Sequence, residues 1–465
     1  MTVTTAPVGW RDLLAEGRAA WVWLIALGIW LNAADSMVTT TIMPTVGRDL
    51  GGYAYFSWAT AAYMVGAILS GATAARFSAR FGLRRAMIWA GLATAVGCAV
   101  SALAPSMIAL VAGRWVQGLG AGWIVGACYA AIGQVFPQRH LARVFGIMTS
   151  IWGVATVLGP VVGAAFAEGS AWRWLFWFFG AQCLAFVLAA WRMLPSDAAP
   201  APDQRTPWRQ LALVLAGVAL IGAADLVNSV WIAAGLCLAS LAVFVASVRI
   251  PAGPHGLFPD SAGDLRTVTG TAYLSYFALT AAAMGFSVYT PALLQQLFGF
   301  SPMFAGYAAG LESVGWTAAA LGFAGLDARW HPLIIRLGGV CVFGSLTGLA
   351  FVTRAGPVWA IMVCAVVLGA GFGLTSGFVA RRVIASASEG EREVASAGIN
   401  SVRQVGNAAG ACLAGIIANL LGMSAGVTTA AAQGVAVWLF AIAAPIALVG
   451  AAACWRVAGV KVADV

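Results

Sequence analysis

Charged side chains are scarce in this sequence of 465 residues. Asp, Glu, Lys and Arg together make up 9% of the chain, whereas 61% of it is hydrophobic. Soluble domains carry about 25% charged residues, and this chain has too few polar groups to cover so much apolar surface. The composition therefore excludes an ordinary soluble protein and predicts that lipid surrounds most of the chain.

The apolar stretches also lack the alternation of polar and apolar residues that the strands of a membrane barrel show. They are continuous runs of about twenty residues. Inside lipid, each run must form a helix to satisfy its own backbone hydrogen bonds. The sequence therefore predicts an all-α integral membrane protein.

Signals of a soluble enzyme are absent. The chain has no phosphate-binding GxxxxGK[ST] loop, so we do not expect ATP hydrolysis to drive it. His140, His255 and His331 fall in predicted loops and form no metal constellation. The eight cysteines all lie in apolar runs, where we expect them to pack. We predict no catalytic residue and no metal site.

Fourteen apolar runs are long enough to be membrane helices. The first twenty residues carry Arg11, Asp12, Glu16 and Arg18 and show no cleavage site, so we expect the first run to stay in place. The runs cover about residues 21–44, 56–76, 86–103, 107–134, 142–167, 175–194, 208–224, 227–248, 271–294, 304–326, 333–352, 358–380, 395–421 and 435–455. The predicted domains are a six-helix bundle over 1–194, a polar linker with two extra helices over 195–257, and a second six-helix bundle over 258–465.

The basic residues predict the orientation. With both termini in the cytoplasm, twenty of the 25 Lys and Arg residues fall in cytoplasmic segments, and only Arg48, Arg173 and Arg354 fall in outer loops. This bias follows the positive-inside rule for fourteen helices. A twelve-helix alternative keeps the same orientation but leaves the two extra apolar runs outside the membrane. Topology thus explains the net charge of +9, and we expect no nucleic-acid partner.

A repeat of glycines indicates a duplicated chain. Gly118, Gly120 and Gly122 recur 251 residues later, and the same shift relates two further pairs, Gly71 to Gly322 and Gly159 to Gly410. One constant offset across several helices is what duplicated six-helix halves would leave. Transporters built in this way bind substrate between the halves and switch access by rocking one half on the other.

Four stretches carry a family resemblance. They are NAADSMVTTTIMPTV at 32–46, GRWVQGLGAG at 113–122, GVATVLGPVVGAA at 153–165 and SVRQVGNAAG at 401–410. Together they resemble motifs of the major facilitator superfamily, and within it the fourteen-helix drug:proton antiporters. The resemblance implies two six-helix bundles with two extra transmembrane helices between them. It also implies that the second motif serves proton transfer and that the third is an antiporter motif, with Gly153, Gly159, Pro160 and Gly163.

The loop after the second predicted helix departs from the family pattern. The family has an acid where this chain has Ala79. The rest of that gating motif is retained as Arg80, Gly82, Arg84 and Arg85. In the family the acid takes part in a charge contact between the halves, and this chain lacks it.

Two acids fall near the middle of predicted helices, Asp35 and Glu312, whereas the other fourteen map to loops, tails or helix ends. A carboxylate in hydrocarbon is costly, so it normally faces a cavity, pairs with a base or carries protons. We place both acids in a cavity between the halves and predict that they carry protons. The alternative is a structural polar contact between helices.

Arg114 is the expected partner of Asp35, because a buried guanidinium keeps its proton and must find acceptors. The alternative is that it caps carbonyl groups of a neighbouring helix. Arg403, also inside a helix, is expected to reach toward the cytoplasmic surface. The candidates for lining the substrate cavity are Asn32, Tyr63, Gln117, Trp152 and Tyr276.

These observations predict a secondary active transporter. The leading hypothesis is a proton-coupled antiporter that exports small hydrophobic compounds, cations included, by alternating access (multidrug efflux). The alternative is a dedicated exporter of one metabolite, siderophore or lipid precursor on the same scaffold. A non-transporting sensor should carry a soluble domain or long charged tail, which the sequence lacks. We expect a monomer in the bacterial inner membrane, with a small-molecule substrate and no cofactor besides the coupling protons.

Overall fold

The computed structural model describes residues 10–15, 17–167, 171–195, 206–251, 256–388 and 391–460. These residues form fifteen α-helices joined by short loops and 3-10 turns, and no strand occurs among them. The helices are α1 Trp10–Leu14, α2 Arg18–Leu50, α3 Trp58–Phe81, α4 Leu83–Ala102, α5 Met107–Val135, α6 Gln138–Ala167, α7 Trp172–Met193, α8 Trp208–Asp225, α9 Val230–Arg249, α10 Val268–Phe298, α11 Pro302–Gly322, α12 His331–Ala355, α13 Val358–Ser386, α14 Arg392–Leu420 and α15 Thr429–Gly459. Most of the predicted linker lies outside the described residues, as do His255 and Lys461.

Every predicted apolar run coincides with one of the helices α2 to α15, but the number of membrane spans is a separate matter. Within the described part of the chain, twelve helices are long and apolar enough to cross a membrane, and they include the extra helices α8 and α9. Besides the short α1, the helices that do not qualify are α11 and α14. The predicted count of fourteen spans is therefore not confirmed by length and composition.

The helices pack as two halves, α2–α7 and α10–α15, and the repeated glycines make equivalent contacts in each. A Cβ atom on Gly118 or Gly122 would overlap α3, and one on Gly120 would overlap α4. In the second half, Gly369 and Gly373 lie in the same way against α11, and Gly371 lies against α12. The shift of 251 thus relates equivalent helix contacts, as a duplicated chain requires.

The halves meet chiefly where α6 packs on α11 and where α3 packs on α14. We call the end of the bundle at which α2, α8, α10 and α14 finish the distal end, and the opposite end the proximal end. Two hydrogen bonds cross between the halves in the distal part, from Tyr307 Oη to the oxygen of Val157 at 3.1 Å and from Asn419 Nδ2 to the oxygen of Ala54 at 2.9 Å. The two halves are therefore joined at the distal end.

The extra helices differ in their surroundings. The α9 helix lies at the periphery, where Trp231 is 87% exposed. The α8 helix instead packs against α3 and α14, one helix from each half. Its last residue, Asp225, is buried at the distal end between Ser57 and Asn419. The two extra helices thus differ, because α9 is peripheral whereas α8 lies between the halves and ends in a buried acid.

Candidate proton-coupling site

An ion pair between α2 and α5 is buried in the first half. Arg114 Nη1 donates to both carboxylate oxygens of Asp35, at 2.8 Å each. Arg114 Nε donates to the backbone oxygen of Ala59 on α3 at 3.2 Å. Arg114 is 2% exposed and Asp35 6% exposed. The guanidinium therefore makes both interactions that the sequence left open, a pair with Asp35 and a carbonyl contact with a neighbouring helix.

Three further predicted residues complete this cluster. The guanidinium of Arg114 lies 4.5 Å from the ring centroid of Tyr63, within the range of a cation–π contact. The hydroxyl of Tyr63 donates to Asn32 Oδ1 at 2.7 Å, and Gln117 Oε1 accepts from Arg114 Nη1 at 3.1 Å. The five residues form what we call the polar cluster: Asn32, Asp35, Tyr63, Arg114 and Gln117.

Small residues bring the helices of the polar cluster together. A Cβ atom on Gly118 would overlap the backbone oxygen of Tyr63, so α3 and α5 can approach closely only with glycine there. A Cβ atom on Gly97 would lie 2.7 Å from Gln117 Cγ, which fixes α4 against α5 in the same way. The glycine-rich motif on α5 thus holds the polar cluster in close packing.

A small cavity of about 10 Å³ borders the polar cluster. This is roughly the room that a single water molecule needs. Its walls come from α2, α3, α4, α5 and α7, and Asp35, Tyr63, Cys98, Gln117 and Phe179 are among its lining residues. We predicted that Asp35 borders a cavity between the halves, but this cavity belongs to the first half alone.

The charge of Asp35 affects the contacts of its partner, Arg114. Removing either charge of this buried pair would leave the other charge without its partner, which is costly. A proton that binds to Asp35 leaves Arg114 with its uncharged acceptors, Gln117 Oε1 and the oxygen of Ala59. Protonation of Asp35 would therefore allow the guanidinium of Arg114 to move toward these neutral acceptors.

Glu312 lies on α11 in the second half and is half-buried. It accepts a hydrogen bond from Ser287 Oγ on α10 at 3.1 Å. Tyr276, also on α10, is buried and its hydroxyl donates to the backbone oxygen of Ser376 at 2.5 Å. Arg403 lies over the ring of Trp316 on α11, with its guanidinium carbon 5.1 Å from the ring centroid. Arg403 therefore contacts α11 of its own half, and its reach toward the cytoplasmic surface stays a prediction.

The antiporter motif lies where α6 meets both α2 and the second half. A Cβ atom on Gly159 would lie 2.6 Å from Met37 Cβ, and one on Gly163 would lie 2.7 Å from Thr41 Cβ, both on α2. Pro160 stays within a continuous α6, and a Cβ atom on Gly306 of α11 would lie 3.0 Å from the proline Cβ. Three of the four motif residues thus set the approach of helices, whereas Gly153 has nothing within 4 Å of its Cβ position.

The remaining predicted residues lie away from the polar cluster. Trp152 is 38% exposed on α6. Arg80, Gly82, Arg84 and Arg85 lie at the proximal junction of α3 and α4, where Gly82 adopts a φ of +81° that ends α3. Arg84 Nη2 donates to the backbone oxygen of Trp191 at the end of α7. The retained arginine is thus bound within its own half.

Sequence reasoning missed Asp225, which it counted among the acids at helix ends. The residue does end α8, but it is 1% exposed. The available signal was the apolar run that precedes it, because residues 208–224 contain a single charged residue, Arg209. A carboxylate at the end of such an apolar helix needs hydrogen-bond partners. Hydropathy gives depth along a helix and says nothing about which helices surround its end.

Two packed halves of membrane-type helices, with a buried ion pair in one of them, define a transporter of the two-bundle class. The family model for the Major Facilitator Superfamily matches residues 25–411, and the chain belongs to this family. It is therefore a multi-pass membrane transporter rather than an enzyme.

Relatives and solved structures agree with this assignment. A Mycobacterium tuberculosis protein named probable multidrug-efflux transporter is 30% identical over 439 residues, which cover 90% of this chain and 92% of that protein. Multidrug resistance protein 3 of Bacillus subtilis is 29% identical over 167 residues, 35% of this chain and 33% of that protein. The inward-facing, unoccupied crystal structure of a bacterial homolog of the human lysosomal transporter Spinster has a TM-score of 0.71 at 14% identity, with 96% and 97% of the two chains covered. At that identity the likeness shows the fold alone.

Proposed function

We propose that this protein is a proton-coupled antiporter that exports small hydrophobic compounds, cations included, by alternating access. The observation that carries the proposal is the buried pair of Asp35 and Arg114. Charges inside a membrane helix bundle are costly and therefore rare, and proton relays are a common use of such groups. The similarity to a named multidrug-efflux transporter supports hydrophobic drugs as the substrate class.

The second half supplies groups that suit the binding of a cationic substrate. Glu312 offers a carboxylate that is held by one neutral donor, Ser287. Trp316, four residues after Glu312 on α11, stacks on Phe372 of α13 with ring centroids 5.2 Å apart, and the guanidinium of Arg403 lies over the same Trp316 ring. A carboxylate near aromatic rings suits an apolar compound with a positive charge. We assign Asp35 to proton coupling and Glu312 to the substrate or to a second proton.

We further propose that α11 and α14 also cross the membrane, which gives fourteen spans. With 21 and 29 residues, each is about 30 Å or longer, enough to span the hydrocarbon core. Both helices pack against the opposite half, α11 on α6 and α14 on α3. A helix that faces protein rather than lipid can be less apolar and still span.

The orientation follows from the basic residues. Arg80, Arg84, Arg85, Arg381 and Arg382 lie at the proximal end. By the positive-inside rule, the proximal end is cytoplasmic and the distal end faces outward. Because the halves are in contact at the distal end, this structure then corresponds to a state that is closed to the outside. We place it in the inner membrane of a bacterium, with both termini in the cytoplasm.

Reporter fusions test this topology. We expect the 138–143, 195–207 and 383–393 segments in the cytoplasm and the 295–302 segment outside, because three spans separate the last two segments. Alkaline phosphatase and green fluorescent protein fused at each position report the side. If 295–302 and 383–393 report the same side, either α11 or another helix between them does not cross, and the fourteen-span proposal fails.

Everted membrane vesicles test the proposed function. With an imposed proton gradient, addition of a transported hydrophobic cation should raise the internal pH, because each substrate that enters moves protons out. A fluorescent pH probe inside the vesicles and a panel of dyes and drugs measure this response. Proton movement with a single metabolite only would favour the dedicated exporter. No proton movement with any compound, while a substrate gradient still forms, would reject proton antiport.

A further inference from the structure

Asp225 is buried where three parts of the protein meet. Its Oδ2 accepts a hydrogen bond from Ser57 Oγ of the first half at 2.5 Å. Its Oδ1 accepts from Asn419 Nδ2 of the second half at 2.9 Å, and the same amide donates to the backbone oxygens of Asp225 and Ala54, each at 2.9 Å. One carboxylate, carried by the extra helix α8, therefore joins both halves at the distal end. We call this group of residues, Ser57, Asp225 and Asn419, the distal clamp.

A glycine on α14 leaves room for the side chains of the distal clamp. Gly415 lies one turn before Asn419 on α14, and a Cβ atom there would overlap Ser57 Oγ and both carboxylate oxygens of Asp225. The carboxylate can therefore reach its donors only because position 415 has no side chain. Asn419 Oδ1, in turn, is buried and makes no hydrogen bond. If the amide group of Asn419 rotates by 180°, this oxygen can accept a hydrogen bond from the protonated carboxyl group of Asp225.

In the described part of the structure, neutral groups surround the Asp225 carboxylate. The titratable groups that face it are Tyr289 of α10 and Cys412 of α14, with Cys237 of α9 next to that cysteine. Ser57, which immediately precedes α3, contributes a neutral hydroxyl group. Among the residues that the structure describes, no Arg, Lys or His forms an ion pair with Asp225, in contrast to the Asp35–Arg114 pair. Closing the distal end therefore moves a carboxyl group from water to a site that has donors but no countercharge, and this costs less when the carboxyl carries a proton.

We propose that Asp225 is a second proton-binding site, at the distal end, which takes up a proton as the two halves close there and returns it when they part. This rests on the proposed antiport and names a group that it did not include. In an exporter, external protons would then favour closure after the substrate has left, because the protonated clamp is the one that closes most readily. The extra helices would contribute an acid to the cycle that neither six-helix half possesses.

Distances between spin labels test this without substrate or transport. Labels on Leu103→Cys and Ser424→Cys, both exposed in distal segments of opposite halves, report whether that end is open. In lipid nanodiscs between about pH 5.5 and pH 8, we expect the short-distance population to dominate at low pH and to decrease as pH rises. The unmodified chain, which has eight native cysteines, gives the background.

Three variants identify the titrating group. In Asp225→Asn the short-distance population should stay at its low-pH level throughout, because the neutral amide cannot ionise. In Ser57→Ala the closed state loses a hydrogen bond to the carboxyl group, so the closed population should decrease and the pH at which half the molecules are open should fall by up to about one unit. In Asp35→Asn the distal response to pH should persist.

A distal distance that does not respond to pH in the parent protein would overturn the proposal. So would a response that survives in Asp225→Asn, or one that disappears in Asp35→Asn alone, since the proton would then bind elsewhere. These outcomes are separate from the vesicle assay. A pH-dependent clamp in a protein without antiport would reject the proposed function and keep this site, and antiport with a clamp that ignores pH would do the reverse.

Discussion

Replacing Asp35 by Asn should abolish proton-driven export, to the level of membranes without the transporter. Asn keeps the size of the side chain and can accept one hydrogen bond from Arg114, but it cannot take up a proton. One proton that crosses a potential of 100 mV supplies about 2.3 kcal/mol, and this energy reaches the substrate only through a group that alternately binds and releases the proton. Substrate-induced proton release, measured in vesicles for the wild type and Asp35→Asn, checks the prediction.

The same substitution leaves Arg114 without its counterion, so loss of export must be separated from loss of structure. Breaking a buried ion pair by removing one partner costs about 3–5 kcal/mol. The double variant Asp35→Asn with Arg114→Gln has no buried charge at this position, and we expect it to be more stable than either single variant yet equally inactive. Thermal unfolding in detergent and the vesicle assay give the two readings. Active export by the stable double variant would remove Asp35 from the coupling mechanism and leave Glu312 as the candidate.

The second large effect concerns the glycines that set the distance between helices. Gly118→Ala and Gly369→Ala should each lower the yield of folded protein strongly, because the new methyl group would overlap a backbone oxygen, that of Tyr63 or of Glu312. Overpacking by one methyl group costs about 1–3 kcal/mol when neighbours can move, and a backbone atom moves less readily than a side chain. Yield and unfolding temperature in detergent measure the effect.

Matched controls come from the same repeat. Gly71 and Gly322 are also related by the shift of 251 residues, and nothing lies within 4 Å of a Cβ atom at either position. Gly71→Ala and Gly322→Ala should therefore behave like the wild type or be slightly more stable, since alanine favours a helix. If all four variants lose the same stability, helix propensity and not close packing explains these glycines.

The sequence was sufficient to predict the contact between Asp35 and Arg114. Asp35 and Arg114 each lie inside an apolar run, where pairing with an opposite charge lowers the cost of burial. Both residues belong to one half, so few helices could supply the partner. The depth of a residue along its helix and the rule of charge pairing were enough to put the two together.

The sequence was not sufficient for features that depend on which helices lie side by side. Nothing in the run of α8 shows that it lies between α3 and α14, so Asp225 read as one more acid at a helix end. The cavity beside Asp35 could not be assigned to one half for the same reason. The contact between Arg403 and Trp316 could not be predicted either, because the sequence shows how far Arg403 lies from the start of its helix but not which side chain lies beside it.

The weak apolarity of α11 and α14 has a consequence for how the protein is made. Each is followed and preceded along the chain by strongly apolar helices, α10 and α12 around α11, and α13 and α15 around α14. During synthesis, α11 and α14 leave the translocon with less drive of their own to enter lipid, so their insertion depends on the flanking helices and on the first half being already in place. The two helices through which the halves contact each other, α11 on α6 and α14 on α3, are thus also the ones that depend most on neighbouring helices for a stable position in the membrane.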